Sequence, residues 1–563
     1  MSDAWRTAPP GRPFVSYAET LLEVLGRQPD RPALTTSGGL NVSAAAFCDA
    51  THRLARALVA HGAGPGRTIA LLAGNTMEAL SARYAATLAA ARLVYLYEVL
   101  PPEALAHIVN SVGSPLLLVD SSRHTDLQRL LPLVRVPQVM TLGPGPRGED
   151  ILAEAARLTP APLAMPVDPD DDWCIRHTSG TTGIPKAIQV THRQYRRCME
   201  SLRVHAGSPP RYLANTPLSH VAGLCTDLTL LQGGSVVLQH AFEPGEALSA
   251  IARESITHMW VMPPLLHQLL DHPALTTTDV SSIKRITYGG SPASAARLRQ
   301  ATDVFGPVLY SWYGQSETLG LTEVGPQEHT LTGRHGQVTV GRTMPGVHII
   351  IRDEHNNTVP PGEQGEILAR SPGMTRGYFN QPELTAETLQ NGWVRTGDIG
   401  YLDDNGYLFL VGRCNDMIKV TGGGIYPSEV EAVPLTHPAV AQCAVFPISD
   451  HDATEHLHAA IVPTRGHHPD HDDLHTFVTA RKGSRYAPRA VHLLAAIPQT
   501  PVDKPDTHTS SAHRSTDTDP YPRPGHALVG AKMTWLIVTP ARQSPNPRHD
   551  RSVPTTTPLG PHR

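Results

Sequence analysis

The stretch His177–Lys186 reads HTSGTTGIPK, and the rest of the chain is interpreted around it. Two glycines, Gly180 and Gly183, stand among four hydroxyl residues, and a lysine closes the stretch. Glycines let a backbone turn tightly and bring its N–H groups close to an anion, while hydroxyls and a lysine add donors and positive charge. The stretch therefore predicts a loop around a polyphosphate. It is not a Walker A loop. The alternative, a solvent-exposed Ser/Thr/Gly linker, is disfavoured because apolar residues follow Lys186 at once.

Three further motifs follow in the sequence: YGQSET at Tyr313–Thr318, RTGDIGYLDDNGY at Arg395–Tyr407 and GRCNDMIKVTGGGIYPSEVE at Gly412–Glu431. Together with the loop, in this order, they resemble the adenylate-forming superfamily. That superfamily includes acyl-CoA and aryl-CoA synthetases, the adenylation domains of peptide synthetases, and luciferases. The resemblance runs from about residue 14 to about residue 506. It implies that ATP, with Mg²⁺, converts a small-molecule carboxylic acid to an acyl-adenylate, whose acyl group then passes to a thiol.

Size and charge restrict the possible classes of protein. The chain has 563 residues, too many for a single core, and a formal net charge of −4, which gives no general attraction to nucleic acid or anionic membranes. Six scattered cysteines without a CxxC pair argue against a disulfide framework or a zinc site. The N-terminal residues lack the apolar segment of a signal peptide, and no apolar run reaches the ~18 residues of a membrane span. We therefore expect a cytoplasmic protein without a membrane span or a nucleic-acid partner.

Alternating helices and strands predict an α/β fold. The S-x-x-E pattern at Ser16 and Glu19 predicts a helix that ends near Gly26, and Ser43 opens a second helix that stops at Gly62. A further helix is predicted over Met77–Ala91. The apolar runs that read as strands are Thr68–Leu72, Pro115–Asp120, Ser235–Leu238, Thr257–Met262 and Arg285–Gly290. This alternation predicts parallel βαβ units, with ligands bound at the carboxyl ends of the strands, where Gly289, Gly290 and Ser291 would lie.

Changes in composition and residue pattern along the chain predict its domains. Residues 1–412 form a large N-terminal domain of parallel αβα-layered sheets, with a small β-rich subdomain at about 335–412. Residues 413–506 are predicted to form a small α+β domain, and the resemblance implies that this domain is mobile. Residues 507–563 are rich in Pro, Thr, His, Ser and Arg, and we expect a disordered tail because this composition cannot build a core.

ATP or AMP contacts are expected at residues of all four motifs and at the strand end with Gly289, Gly290 and Ser291. They are Thr178, Ser179, Gly180, Thr181, Thr182, Gly183, Lys186, Gly289, Gly290, Ser291, Tyr313, Gly314, Gln315, Ser316, Thr318, Asp398 and Arg413. In this assignment Lys186 contacts the β- and γ-phosphates, Thr182 takes part in catalysis, Tyr313 stacks on adenine, and Thr318 offers a hydroxyl to the α-phosphate. Asp398 accepts the ribose hydroxyls, and Arg413 reaches ribose or phosphate.

Glu317 is the expected Mg²⁺ ligand and a catalytic residue, because this ion binds few protein carboxylates beside phosphates. The acyl pocket is expected at His220, Gly289 and Gly314. Asp227, seven residues after His220, could hold a substrate amine. Asp403 and Asp404 in DDNG are expected to be turn residues.

Two lysines are predicted to serve the two half-reactions. The resemblance gives adenylation to Lys504 and the thiol step to Lys419, with a domain hinge at Asn415 and a thiol tunnel at Gly422. Lys504 departs from the family pattern, because Asp503 replaces a glycine and Pro505 restricts the lysine backbone.

Four functions stay open from the sequence. The first is a ligase that joins an aryl or medium-chain acid to coenzyme A. The second loads a separate carrier protein, and the third uses an amine or another non-thiol acceptor. The fourth is a degenerate homologue that binds nucleotide without chemistry.

Overall fold

The structure is a computed structural model that describes residues 14–97, 100–178, 185–202, 208–334, 336–420, 423–449, 455–464 and 466–497. Several predicted site residues lie outside these ranges: Ser179, Gly180, Thr181, Thr182, Gly183, Gly422 and Lys504. The predicted tail, 507–563, lies outside them as well.

Within the described residues the α-helices are α1 Tyr17–Gly26, α2 Ala44–Ala60, α3 Met77–Leu88, α4 Pro102–Ser111, α5 His124–Leu130, α6 Ile151–Ala155, α7 His192–Ser201, α8 Val221–Leu231, α9 Pro244–Glu254, α10 Pro263–Asp271, α11 Ala295–Phe305, α12 Pro382–Thr388, α13 Pro427–Glu431 and α14 His471–Lys482. None of them has the length and hydrophobicity that a membrane span requires.

The strands of the same residues are β1 Pro32–Thr35, β2 Asn41–Ser43, β3 Thr68–Leu72, β4 Arg92–Tyr95, β5 Leu116–Asp120, β6 Gln138–Leu142, β7 Glu149–Asp150, β8 Asp172–Thr178, β9 Lys186–Thr191, β10 Arg211–Ala214, β11 Ser235–Leu238, β12 His258–Val261, β13 Arg285–Gly289, β14 Leu309–Gln315, β15 Leu319–Val324, β16 Arg342–Thr343, β17 His348–Arg352, β18 Gly365–Arg370, β19 Gly377–Tyr378, β20 Leu389–Gln390, β21 Trp393–Leu402, β22 Leu408–Arg413, β23 Ile418–Val420, β24 Gly423–Ile425, β25 Val440–Ser449, β26 Glu455–Pro463 and β27 Ala490–Leu493.

Two large sheets form the N-terminal part. One has the order β19-β9-β8-β4-β3-β5-β6-β7, and the other has the order β16-β15-β14-β13-β12-β10-β11-β1-β2. The inner strands of both sheets pair in parallel, while antiparallel strands lie at the edges, including the β8–β9 hairpin that flanks the glycine-rich loop. The predicted parallel α/β fold is confirmed.

Helices cover both faces of each sheet. In β3, Ile69 and Leu71 belong to a central core shared with α1, α2, α3 and α8, whereas Ala70 and Leu72 pack on the outer side with α4 and α5. The second sheet alternates in the same way, with α9, α10 and α11 on its outer face. Because successive side chains of a strand point to opposite faces, strands buried on both faces must be apolar throughout, which is why the sequence shows continuous apolar runs.

The first two helices begin as their sequences predict. Ser16 caps α1, where the Glu19 N–H donates to Ser16 Oγ at 3.3 Å and the Ser16 N–H donates to Glu19 Oε2 at 2.7 Å. Ser43 caps α2 in the same position. Leu54 and Leu58 of α2 are fully buried, and each contributes about 1.5–3 kcal/mol by leaving water.

Smaller sheets make up the rest of the described chain. Strands β17, β18, β20, β21 and β22 form an antiparallel sheet, as expected for the β-rich region. After β22 come the β23–β24 hairpin and the sheet β25-β26-β27, which packs with α13 and α14 in a core of its own. Ser428 of α13 donates to the Val411 carbonyl of β22, so the predicted small domain contacts the larger part near residue 413.

Candidate functional site

A large cavity of about 2650 Å³ lies between the carboxyl ends of the parallel strands and the part of the chain that follows residue 413. Many of the predicted site residues that the structure describes line it. They are Lys186, His220, Gly289, Gly290, Ser291, Tyr313, Gly314, Gln315, Ser316, Glu317, Asp398, Arg413 and Asn415.

Asp398 is the centre of one polar cluster in this cavity. Strands β21 and β22 place Asp398 directly opposite Arg413, whose Nε donates to Asp398 Oδ1 at 2.9 Å. Asp398 Oδ2 accepts from the Tyr313 hydroxyl at 2.8 Å and from Gln315 Nε2 at 2.6 Å. Burial, and then the neighbouring carboxylate charge, holds the pKa of Tyr313 well above its ordinary value. Residues from two distant motifs thus fix one carboxylate in place, which is a suitable acceptor for a pair of ligand hydroxyls.

Glu317 belongs to a second polar cluster. The hydroxyl of Tyr378 donates to Glu317 Oε1 at 2.9 Å, and the Nζ of Lys186 lies 5.7 Å from the centroid of the Tyr378 ring. Burial and the charge of Glu317 raise the pKa of Tyr378. The pairing of β19 with β9 brings Tyr378 beside Lys186. An ammonium group and a carboxylate therefore flank one tyrosine, which the sequence motifs did not single out.

The donor set around Glu317 fits Mg²⁺ only in part. Glu317 Oε2 accepts no hydrogen bond from any residue that the structure describes, so it is available to an ion. Among those residues no group of three or more His, Cys, Asp and Glu side chains could hold a metal ion alone. This is the donor set of an ion that takes most of its ligands from phosphates and water.

Glycines form the cavity wall where backbone segments approach closely. A Cβ on Gly289, the last residue of β13, would lie 2.3 Å from the Trp312 carbonyl oxygen, and one on Gly314 would lie 1.8 Å from that of Leu319. Gly290 follows with a φ of +84°. The hydroxyl of Ser291 is buried without a hydrogen-bond partner in the described part of the chain. The strand end thus offers bare backbone and one unpaired hydroxyl to a ligand.

Aromatic rings line another part of the wall. His220, at the N-terminus of α8, stacks on Tyr97 with ring centroids 4.4 Å apart and planes 10° apart. Trp260 and Trp312 line the cavity from β12 and β14. These rings suit the carbon skeleton of an acid, so the predicted pocket position of His220 is compatible with the structure.

Two interpretations of the sequence need correction. Asp227 is not in the cavity wall: it is fully buried and accepts from Arg83 Nη2 at 2.5 Å and from Tyr84 at 2.7 Å, so its assignment to a substrate amine is wrong. Thr318 is also fully buried. Its hydroxyl accepts from the Gln315 N–H at 3.1 Å and donates to the Leu319 carbonyl at 3.2 Å, which braces the turn after β14 instead of facing the cavity.

The remaining predicted residues lie at the edge of the site or outside the described ranges. The side chain of Lys419 is exposed on β23, and its N–H donates to Glu455 Oε2 at 2.6 Å. Asn415 is exposed in a single 3₁₀ turn after β22, which leaves its hinge role a prediction. The backbone of Thr178 ends β8 beside the loop. Asp403 accepts from two backbone N–H groups of its turn, as expected for a turn residue.

The chain is similar to known protein families and to curated proteins. Residues 21–379 match the AMP-binding enzyme family and residues 429–504 match the AMP-binding enzyme C-terminal domain. A medium/long-chain-fatty-acid–CoA ligase from Mycobacterium tuberculosis is 32% identical over 86% of this chain and 88% of its own length. A fatty acid–[acyl-carrier-protein] ligase from Streptomyces coeruleorubidus is 29% identical over 81% of this chain and 88% of its own.

Solved structures agree with these matches. The amide bond synthetase of Marinactinospora thermotolerans superposes with a TM-score of 0.82 at 35% identity, over 88% of this chain and 99% of its own. The similarity to CoA ligases supports the class of AMP-forming acid–thiol ligases. With both family regions present and the predicted motifs gathered around one cavity, the chain belongs to the AMP-binding enzyme family of the adenylate-forming superfamily and is an AMP-forming ligase.

Proposed function

We propose that the protein adenylates a carboxylic acid with ATP, releases pyrophosphate, and transfers the acyl group to the thiol of coenzyme A. The observation that carries this proposal is the presence of both polar clusters in one cavity. The Asp398 cluster offers an acceptor for sugar hydroxyls, and the Glu317–Tyr378–Lys186 cluster offers charge for phosphates. A nucleotide triphosphate is a ligand that needs both.

The chemistry follows from the poor leaving group of a carboxylate. A carboxylate oxygen attacks the α-phosphorus in line, the bond to the β-phosphate oxygen breaks, and the acyl group is left with AMP as its leaving group. Such a reaction depends on positioning and on charge stabilisation. Lys186 would neutralise phosphate charge, and the backbone at Gly289 and Gly314 would hold the acid. Glu317 would hold Mg²⁺, which supplies further neutralisation of the phosphates when bound.

The two lysines of the small domain are proposed to act in turn. Lys504, outside the described residues, would meet the carboxylate and α-phosphate during adenylation. Lys419 would serve the thiol step after the domain beginning at 413 has rotated about Asn415, with Gly422 beside the thiol. We expect Lys504→Ala to depress adenylation and Lys419→Ala to slow only the transfer.

The choice of acceptor rests on the relatives. The similarity to the CoA ligase, which extends over 86% of this chain, favours coenzyme A. The carrier-protein ligase supports loading of a separate carrier protein as the second candidate, and the amide bond synthetase keeps an amine acceptor open.

The test uses purified protein, ATP, Mg²⁺ and a panel of aliphatic and aromatic acids, with pyrophosphate release as the first readout. Coenzyme A, a phosphopantetheinylated carrier protein or an amine is then added, and products are identified by mass spectrometry. We expect pyrophosphate release with some acids and an acyl-CoA product. Lys186→Ala should abolish release, whereas the exposed Lys284→Ala, a matched loss of one lysine, should not. Product only with a carrier or an amine would overturn the coenzyme A proposal, and no acid-dependent release would leave the degenerate homologue.

A further inference from the structure

Arg176 is a charged residue in the cavity wall that the proposed chemistry does not use. It lies on β8, and its guanidinium carbon is 5.5 Å from the centroid of the Trp173 ring and 5.7 Å from that of Tyr195. In the part of the chain that the structure describes, no carboxylate forms an ion pair with Arg176. Arg176 is partly buried, and because an arginine is always charged, an opposite charge beside it would be favourable.

The polar groups beside Arg176 are neutral. Burial raises the pKa of the Cys174 thiol, raises that of Cys198 to about 12, and raises that of Tyr195 well above its ordinary value, although the positive charge of Arg176 opposes each shift. These groups are therefore protonated at pH 7 and cannot compensate the guanidinium.

The buried carboxylate of this region is already engaged. Asp227 accepts from Arg83 Nε and Nη2 and from the hydroxyls of Tyr84 and Tyr195. Arg83 also lies close enough to Arg176 for the two like charges to repel. Asp227 thus pairs with Arg83, and among the residues that the structure describes no carboxylate is left to compensate the positive charge of Arg176 at the cavity wall.

The register of the β8–β9 hairpin gives the position of this charge relative to the phosphate side. Arg176 pairs with Ile188, and Lys186 lies two residues before Ile188 on β9. Paired residues share a face of a sheet, as do residues two apart, so Arg176 and Lys186 point to the same face about 7 Å apart along the strands. Ile188 belongs to the central core, so Arg176, which is paired with Ile188, lies closer to that core than Lys186 does.

We propose that Arg176 binds a second anionic group, most simply a carboxylate, on the acid substrate, so that the enzyme selects diacids. This inference rests on the proposed function and names its substrate class. A guanidinium binds a carboxylate through two parallel hydrogen bonds, and a neutral tail would leave the charge unpaired. Leu202, Leu224 and Tyr97 line the same cavity and can pack on the carbon skeleton between the two acidic groups.

The test compares acids of equal length that differ only in the second carboxylate: hexanoate with adipate, and 4-methylbenzoate with terephthalate. The readout is kcat/KM for the acid in ATP–pyrophosphate exchange at saturating ATP. We expect the diacid of at least one pair to exceed its partner by about 100-fold, since an unpaired polar group in a site strongly rejects the analogue that lacks its partner.

Arg176→Met should remove that preference and leave KM for ATP unchanged, while Arg176→Lys should retain part of it. Arg193→Met is the matched control, because Arg193 of α7 forms an exposed ion pair with Asp170, and its loss should leave the preference intact. Circular dichroism tests whether each variant is folded. If Arg176→Met does not fold, the comparison of Arg176→Lys with the wild type still tests the inference.

Three outcomes would overturn the inference. The first is exchange with monoacids that exceeds exchange with diacids. The second is a rise in KM for ATP in Arg176→Met with every acid, which would assign the charge to a phosphate. The third is a diacid preference that persists unchanged in Arg176→Met. Exchange with no acid at all would instead refute the proposed function.

Discussion

Replacing Asp398 with alanine removes the carboxylate that accepts hydrogen bonds from three other residues of the cavity wall. Its carboxylate accepts from Tyr313, Gln315 and Arg413, which come from β14 and β22. Without it, β14 keeps only the hydrogen bond from Gln315 to the Thr396 carbonyl as a side-chain link to β21 at this point. We therefore expect a loss of stability together with weaker binding of ATP.

The three donors contribute unequally to the expected loss. Tyr313 is only 9% exposed, so its orphaned hydroxyl costs about 1–3 kcal/mol. The side chain of Arg413 is 49% exposed and regains water, so its ion pair contributes about 1 kcal/mol or less. Gln315 keeps its hydrogen bond to the Thr396 carbonyl at 2.9 Å. The free energy of unfolding should fall by roughly 1–4 kcal/mol.

Urea unfolding followed by tryptophan fluorescence measures this change. Asp404→Ala is the matched control, because Asp404 is an exposed acid in the turn between β21 and β22. The Asp398→Ala midpoint should drop clearly below those of the wild type and the control, and KM for ATP should rise. Equal midpoints and an unchanged KM would refute the role assigned to this carboxylate.

Three further substitutions test other parts of the account. Asp227→Asn should lower the free energy of unfolding by about 3–5 kcal/mol in chemical denaturation because it strands the buried charge of Arg83, and an unchanged midpoint would contradict the buried pair. Gly289→Ala should lower the melting temperature and slow adenylation, because the new Cβ meets the Trp312 carbonyl, and wild-type behaviour in both would show that the strand can yield. Burial raises the pKa of Glu431 from its ordinary 4.5 to about 7, so the folded state binds more protons and stability falls as pH rises through this window. Glu431→Gln should therefore be more stable than the wild type at pH 8 but not at pH 4, and parallel pH profiles of melting temperature would argue against the raised pKa.

Local signals predicted much of the fold. The caps at Ser16 and Ser43 and the strand Thr68–Leu72 are where the sequence puts them, because a cap or a continuous apolar run carries its own physical cause. The helix predicted over Met77–Ala91 ends at Leu88 instead. Ala90 takes a left-handed φ of 55°, and β4 pairs with β3 immediately afterwards, so sheet pairing overrides the helical preference of an alanine-rich run.

Sequence reasoning predicted the site less well where contacts depend on the pairing of strands that are far apart in the chain. Tyr378 reaches Glu317 only because β19 pairs with β9, and no spacing between these residues indicates it. Asp227 and Thr318 have side chains that suit a ligand, but in the structure these side chains form hydrogen bonds with other groups of the protein. A motif indicates which residue types the chemistry needs, while burial decides which of them face the cavity.

The central claim is that a carboxylate oxygen of the acid attacks the α-phosphorus of ATP. It is tested most directly with an acid labelled with ¹⁸O in its carboxylate, under conditions of complete turnover with the acceptor present. The attacking oxygen stays on phosphorus when the acceptor displaces AMP from the acyl group. The account predicts one ¹⁸O atom in each AMP and none in pyrophosphate, as measured by mass spectrometry. Unlabelled AMP, or label in a phosphate or pyrophosphate product, would contradict it.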